Sequence, residues 1–167
     1  MAKYKHFTLE ERVSIEIMLK ASHSFKAIGR ELNRDCTTIS KEVKNHIMFK
    51  RTGAYGRPFN NCIHRMTCSH AYLCDKPHCR LRRCRFCSDC SKFCTDYKAY
   101  TCTLLSKPPY VCNGCSSLTK CTLEKAIYSA SYAHDEYTLR RSESRSGITI
   151  SEDEIERLDK IITPLIQ

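Results

Sequence analysis

The chain has 167 residues, 13 of them cysteine, which leaves room for one or two small domains and excludes a large enzyme core. Lysine and arginine outnumber aspartate and glutamate by 28 to 18, a formal net charge of +10, and that balance favours a polyanionic partner over an apolar one. No apolar run approaches the roughly 18 to 20 residues of a membrane-spanning helix, and the basic start carries neither an apolar stretch nor a small-residue cleavage pattern.

The sign of the charge varies along the chain. Residues 1–61 hold 12 basic and 6 acidic side chains, residues 62–121 hold 10 and 3, and residues 122–167 hold 6 and 9. The first two thirds therefore face the polyanion, and no export is expected, so the thiols are read as belonging to a reducing cytoplasm.

Thr8 and Glu11 form a capping-box pair, and Leu9, Val13 and Ile17, joined by Met18 or Leu19, supply an apolar face for a first helix from Leu9 to Ala21. Ser24 is placed to cap a second, short helix ending near Asn33, with Phe25, Ile28 and Leu32 inward. Gly29 in its middle costs about 1 kcal/mol relative to alanine, which calls for close approach of a third helix. In the third, Ile39 and Val43 share the buried face, with Cys36 expected as a small core residue beside Ile39. Thr37, Thr38, Lys41, Lys44 and Asn45 then point outward, a mixture of hydroxyls, amide and cations that reads base edges and holds phosphates. Ser40 and Arg34 join them as DNA-contact candidates. A short helix, a short turn and a recognition helix make a helix-turn-helix; the plainer alternative is a three-helix bundle whose basic face is only solvated.

Phe7-Thr8-Leu9-Glu10-Glu11-Arg12, Phe25-Lys26-Ala27-Ile28-Gly29-Arg30-Glu31-Leu32-Asn33-Arg34 and Thr37-Thr38-Ile39-Ser40-Lys41-Glu42-Val43-Lys44, in that order, resemble the N-terminal part of the insertion sequence family 30 transposases. The likeness continues through Gly56-Arg57-Pro58-Phe59-Asn60-Asn61-Cys62, Lys107-Pro108-Pro109-Tyr110-Val111-Cys112-Asn113-Gly114-Cys115 and Ser142-Glu143-Ser144-Arg145. The resemblance implies N-terminal helix-turn-helix units that bind the ends of a mobile element, and a C-terminal Asp-Asp-Glu domain that cuts and joins DNA. This chain stops before such a domain, so sequence-specific end binding in DNA transposition and recombination is expected of it, without catalysis.

Lys50 to Pro58 is rich in glycine and cations and reads as the flexible start of a linker, residues 51–61, after a DNA-binding domain of residues 1–50. Arg57, between Gly56 and Pro58, is the residue that a narrow A·T-rich minor groove would take, though three residues carry little and a solvated linker is the preferred reading.

Twelve cysteines fall within 60 residues, at Cys62, Cys68, Cys74, Cys79, Cys84, Cys87, Cys90, Cys94, Cys102, Cys112, Cys115 and Cys121. Their segment, 62–121, has too few aliphatic residues to pack without staples. Twelve thiols fill about three tetrahedral four-thiolate zinc sites, and a pair separated by two residues, as Cys112 and Cys115 are, forms a knuckle. Which cysteines share an ion is open in the overlapping Cys84-Cys87-Cys90-Cys94 run; thiolates serve iron–sulfur clusters as well, and His64, His70 and His78 could replace a thiol, although with enough cysteines present they are read as solvated or phosphate-contacting. A disulfide framework is the competing reading for a secreted protein. Asp75, Asp89 and Asp96 show no general-base motif beside an open metal position, so the zinc is expected to be structural.

Thr122 to Arg141 has apolar residues at helical spacing and is expected as one long helix, and Ser151 with Glu154 opens another whose stripe is Ile155, Leu158, Ile162 and Leu165. That stripe has no partner in the remaining sequence. The resemblance implies that a second helix-turn-helix follows, so residues 122–167 are expected as a helical segment cut before it, with packing on a neighbour or on a second copy, a homo-oligomer, as the alternative. The fold expected is mainly α, with a zinc-stapled, loop-rich middle.

Three functions compete: a DNA-binding transposase part or repressor of element ends, an autonomous nuclease or strand transferase, and a zinc-dependent protein-interaction module. The enzyme needs three carboxylates around two metal ions on a mixed sheet. Glu152, Asp153, Glu154, Glu156 and Asp159 instead lie on one expected helix, where capping and solvation explain them. Double-stranded DNA is the expected partner, and neither a membrane nor a small-molecule substrate is.

Overall fold

Thr8 and Glu11 close a reciprocal capping box: the Glu11 amide donates to Thr8 Oγ1 at 3.2 Å and the Thr8 amide to Glu11 Oε2 at 2.8 Å. α1 (Leu9–Lys20) starts there, in a computed structural model that describes residues 6–74, 81–144 and 151–166, with backbone alone for 165 and 166. Ser24 caps α2 (Phe25–Glu31) by accepting from the Ala27 amide at 3.2 Å, and Asp35 caps α3 (Cys36–Asn45) by accepting from the Thr37 amide at 2.7 Å. Each cap satisfies an amide that the first helical turn leaves without a partner.

Phe25 and Ile28 of α2 and Ile39 and Val43 of α3 are buried as their spacing requires, together with Ile15 and Leu19 of α1. The face of α1 differs from expectation. Leu9, Val13 and Ile17 are 40%, 42% and 60% exposed, and the buried stripe is Arg12, Ile15 and Leu19. A hydropathy pattern cannot register a buried cation, and Arg12 is buried because Glu42 of α3 neutralises it at 2.7 Å. Cys36, expected in the core, is exposed; its backbone rather than its thiol meets Gly29. A Cβ on Gly29 would stand 2.6 Å from the Arg34 carbonyl oxygen, so the turn into α3 needs glycine there.

β1 (Ile47–Lys50) pairs antiparallel with β2 (Lys125–Tyr128), in register from Ile47 opposite Tyr128 to Lys50 opposite Lys125. The single long helix expected over 122–141 is therefore a strand followed by α5 (Ala130–Glu143), whose first amide donates to Glu16 Oε2 at 2.7 Å. Pairing with a distant strand overrode the local helical spacing. The stretch expected as a flexible connector holds a tight turn, in which Ala54 and Arg57 exchange backbone hydrogen bonds of 2.8 and 2.9 Å. Buried Lys125 ties it down, donating through Nζ to the Thr52 and Gly53 carbonyls at 2.6 and 2.9 Å.

The middle is loop-rich, with the short α4 (Cys90–Phe93) and 3-10 turns at Cys84–Phe86, Thr103–Ser106 and Leu118–Lys120. The chain divides into two units, Met1–His134 and Asp135–Gln167. In the second, α6 (Glu152–Ile166) opens on a Ser151–Glu154 capping box with bonds of 3.1 and 3.3 Å. Its Ile155, Leu158 and Ile162 are exposed; the side chain of Leu165 lies outside what is described. No described helix is long and apolar enough to cross a membrane. The architecture is mainly helical, as expected.

Candidate nucleic-acid interface and thiol clusters

The orientation of α3 is set from beneath by a buried polar network. Glu42 Oε1 accepts from Arg12 Nε at 2.7 Å and from the Tyr128 hydroxyl at 3.2 Å, while His46 Nε2 lies 3.6 Å from Glu42 Oε2. Arg12 also donates to the Phe7 carbonyl at 3.1 Å. Burial, and then the Glu42 carboxylate, drive the Tyr128 phenol far above its ordinary pKa, so it stays a neutral donor. One network thus joins α1, α3 and β2, and it fixes which side of α3 turns outward.

That outward side carries Thr37, Thr38, Lys41, Lys44 and Asn45, all exposed, with Ser40 half-buried beside them. The Thr37 hydroxyl donates to Asp35 Oδ1 at 2.5 Å, and this bond, followed by the Thr37 amide, holds the Asp35 carboxyl below its usual range. The N-cap therefore stays ionised, where the positive end of the helix dipole favours it. Arg34 faces elsewhere: its guanidinium lies 2.9 Å from Glu11 Oε1 and 5.2 Å from the centre of the Phe7 ring, with the side chain 19% exposed. Arg57 is half-buried in the Ala54–Arg57 turn.

A cleft of about 930 Å³ opens beside α3. Thr37, Ser40, Lys41 and Lys44 form one side, and Leu104, Leu105, Lys107, Pro108 and Pro109 from the cysteine-rich region form the other. Sequence reasoning missed that second side. Lys107 and its neighbours were visible only as part of a family likeness, because nothing local says that residue 107 folds back onto residue 41.

The contact rests on Tyr110, whose ring centre is 6.1 Å from that of Phe25 and 4.1 Å below Lys44 Nζ. Val111 is buried in the helical core. Asn113 brackets Tyr128 like a neighbouring strand, donating to its carbonyl at 2.8 Å and accepting from its amide at 2.9 Å. Ser22 Oγ donates to the Gly114 carbonyl at 3.0 Å, and a Cβ on Gly114 would lie 2.5 Å from the Leu19 carbonyl oxygen. The Cys112–Cys115 loop is thus packed directly against the helix-turn-helix.

The thiols gather into two neighbourhoods. Around Cys90 are Cys62, Cys68, Cys87 and Cys94; burial first, then these thiols, push the Cys90 thiol up to about 11. Around Cys112 are Cys102, Cys115 and Cys121, and burial is again the main reason its pKa rises. Cys74, Cys84 and Cys87 line an adjoining small cavity. Several sulfurs accept amides, from His64 to Cys62, Asp89 to Cys87 and Leu73 to Cys84, each at 3.4 Å, and Asn60 Nδ2 donates to Cys90 Sγ at 3.3 Å. Among the described residues, however, no three Cys, His, Asp or Glu side chains converge closely enough to hold an ion as they stand. Proximity and coordination are different distances, and the thiols meet only the first. His70 pairs with Asp96 at 3.2 Å, and Cys79 and His78 lie outside the described residues.

Residues 3–46 match a family model described as a helix-turn-helix domain. An uncharacterised 14.4 kDa protein in the laf 3′ region of Lactobacillus acidophilus is 55% identical over 42 residues, which cover 25% of this chain and 34% of that protein. The matched segment thus spans about a third of the relative's length. No solved structure matches the chain. The family match and the geometry of α1, α2 and α3 agree on an N-terminal helix-turn-helix domain, a DNA-binding unit.

Proposed function

We propose that the chain is the DNA-recognising part of a transposase-type protein, which binds the ends of a mobile element in a bacterial cytoplasm through α3 and leaves cutting and joining to a separate Asp-Asp-Glu domain. The observation that carries the reading is the outward face of α3, where hydroxyls, an amide and two cations stand together on a helix locked by Arg12, Glu42 and Tyr128. Structural zinc in the cysteine-rich middle belongs to the same proposal. The donor set fits it: amides already point at sulfurs, as in thiolate knuckles, and Cys102, Cys112, Cys115 and Cys121 are neighbours. Bound zinc would supply a tetrahedral cross-link among thiolates and no chemistry on DNA.

Selection of binding sites from a random duplex pool tests the reading. Enrichment of a defined motif, bound far more tightly than the unselected pool, is the expected outcome. No enrichment, with affinity equal to that of a charge-matched control protein, would favour the protein-interaction module. Metal-dependent cleavage of the selected duplex that survives repurification would favour the enzyme.

A further inference from the structure

We infer that the cleft between α3 and the 104–109 segment seats one sugar–phosphate strand of the duplex, with Lys107 as a phosphate-contacting residue supplied from outside the helix-turn-helix. The inference rests on the DNA-binding reading and deepens it by adding a second wall to the site.

Charge is the first argument. Lys26, Lys41, Lys44 and Lys107 line the cleft and no carboxylate does. Cations nearby are mostly engaged: Lys20 with Glu16 at 2.7 Å, Arg34 with Glu11 at 2.9 Å and Arg51 with Glu124 at 2.8 Å. The four cleft lysines make no salt bridge among the described residues, and Lys44 rests on the Tyr110 ring instead. The Asp35 carboxylate, outside the lining, acts on Lys41 alone; four converging cations against one such carboxylate leave a positive potential which a polyanion relieves.

The second argument is the lining between the lysines. Leu104, which is 64% exposed, stands with Leu105, Pro108 and Pro109 across from Thr37 and Ser40. A bare inorganic anion gains nothing from such a wall. A nucleic-acid strand alternates phosphates with deoxyribose rings whose C–H faces are apolar, and it matches cations interleaved with leucine and proline. Position agrees, because a recognition helix in the major groove is flanked by backbone strands, and the cleft runs beside α3 where one of them must pass.

The third argument is preorganisation. Tyr110 on Phe25, the buried Val111 and the bond from Ser22 to Gly114 hold the chain just after Lys107 to the helix-turn-helix core. Ordering this wall therefore costs little on binding.

The test is equilibrium binding of the full chain to a mixed-sequence duplex of about two helical turns at several salt concentrations, because phosphate contacts do not require the cognate site. Lys107→Ala is expected to weaken binding by roughly three- to tenfold in low salt and to make the log–log salt slope shallower by about 0.9. Lys107→Glu should weaken it further, while Lys98→Ala, the same charge change outside the cleft, should leave it close to the parent. Lys41→Ala reports on the underlying reading, and thermal melts show that all four variants are folded. If Lys107→Ala matches Lys98→Ala while Lys41→Ala weakens binding, the inference fails and DNA binding by α3 stands. If the parent chain does not bind the duplex at all, both fail.

Discussion

Arg12 and Glu42 are 2% and 9% exposed, and each is buried against the charge of the other at 2.7 Å. Removing one member of a buried pair leaves the other uncompensated and costs about 3 to 5 kcal/mol, more than the pair itself contributes. Arg12→Met is therefore expected to lower stability by about that amount. Tyr128→Phe, which deletes one of the hydrogen bonds to Glu42, should cost about 1.5 to 3 kcal/mol. Chemical denaturation of the two variants checks the order; equal, small losses would show that the network does not orient α3. The same residue explains why the α1 face was misread from sequence. Leu9, Val13 and Ile17 have the right spacing for a core stripe, but the helix turns by the position of Arg12, and a cation enters a core only through a partner thirty residues away, which no local pattern displays.

At the scale of elements, what could be read in advance were the features that depend on near neighbours. Thr8 with Glu11, Ser24 before Phe25, and Ser151 with Glu154 announced three helix starts, and all three caps are present. What could not be read depends on distant ones. Lys125–Tyr128 has only four residues and becomes a strand because Ile47–Lys50 lies beside it; the glycine-containing turn after β1 is held by Lys125 Nζ. The candidate site divides the same way. The α3 side was legible from the spacing of Ile39 and Val43, whereas the 104–109 side required the fold. The Cys112–Cys115 loop fastens the 104–109 side to the helices, and Gly114→Ala tests it. The added methyl must displace the Leu19 carbonyl at 2.5 Å, an overpacking expected to cost about 1 to 3 kcal/mol. A melting temperature unchanged from the parent would mean that the loop does not bear on α1.

For the whole molecule, the cysteine-rich region is thinly packed: among its described residues the buried apolar side chains are Cys62, Cys84 and Val111, and of these only Val111 belongs to the helical core. If thiolate–zinc bonds replace that packing, the chain purified under reducing conditions carries about three zinc ions by native mass, and a chelator unfolds residues 62–121. A metal-free chain that keeps its fold in reductant and chelator would end the zinc proposal. Because the Cys112–Cys115 loop meets both α1 and the wall of the cleft, metal removal should also weaken DNA binding, although no ligand on α3 is touched.

The central claim, that α3 reads DNA, is tested most directly by binding titrations of the parent chain, Lys41→Ala and Asn45→Ala on a selected duplex and on a mixed-sequence duplex at several salt concentrations. Lys41→Ala should weaken both duplexes alike and flatten the salt slope by about one unit, whereas Asn45→Ala should cost about 1 to 3 kcal/mol on the selected duplex only. Affinity and salt slope unchanged in both variants would contradict the account and move recognition away from α3, to the basic run at Arg82, Arg83 and Arg85.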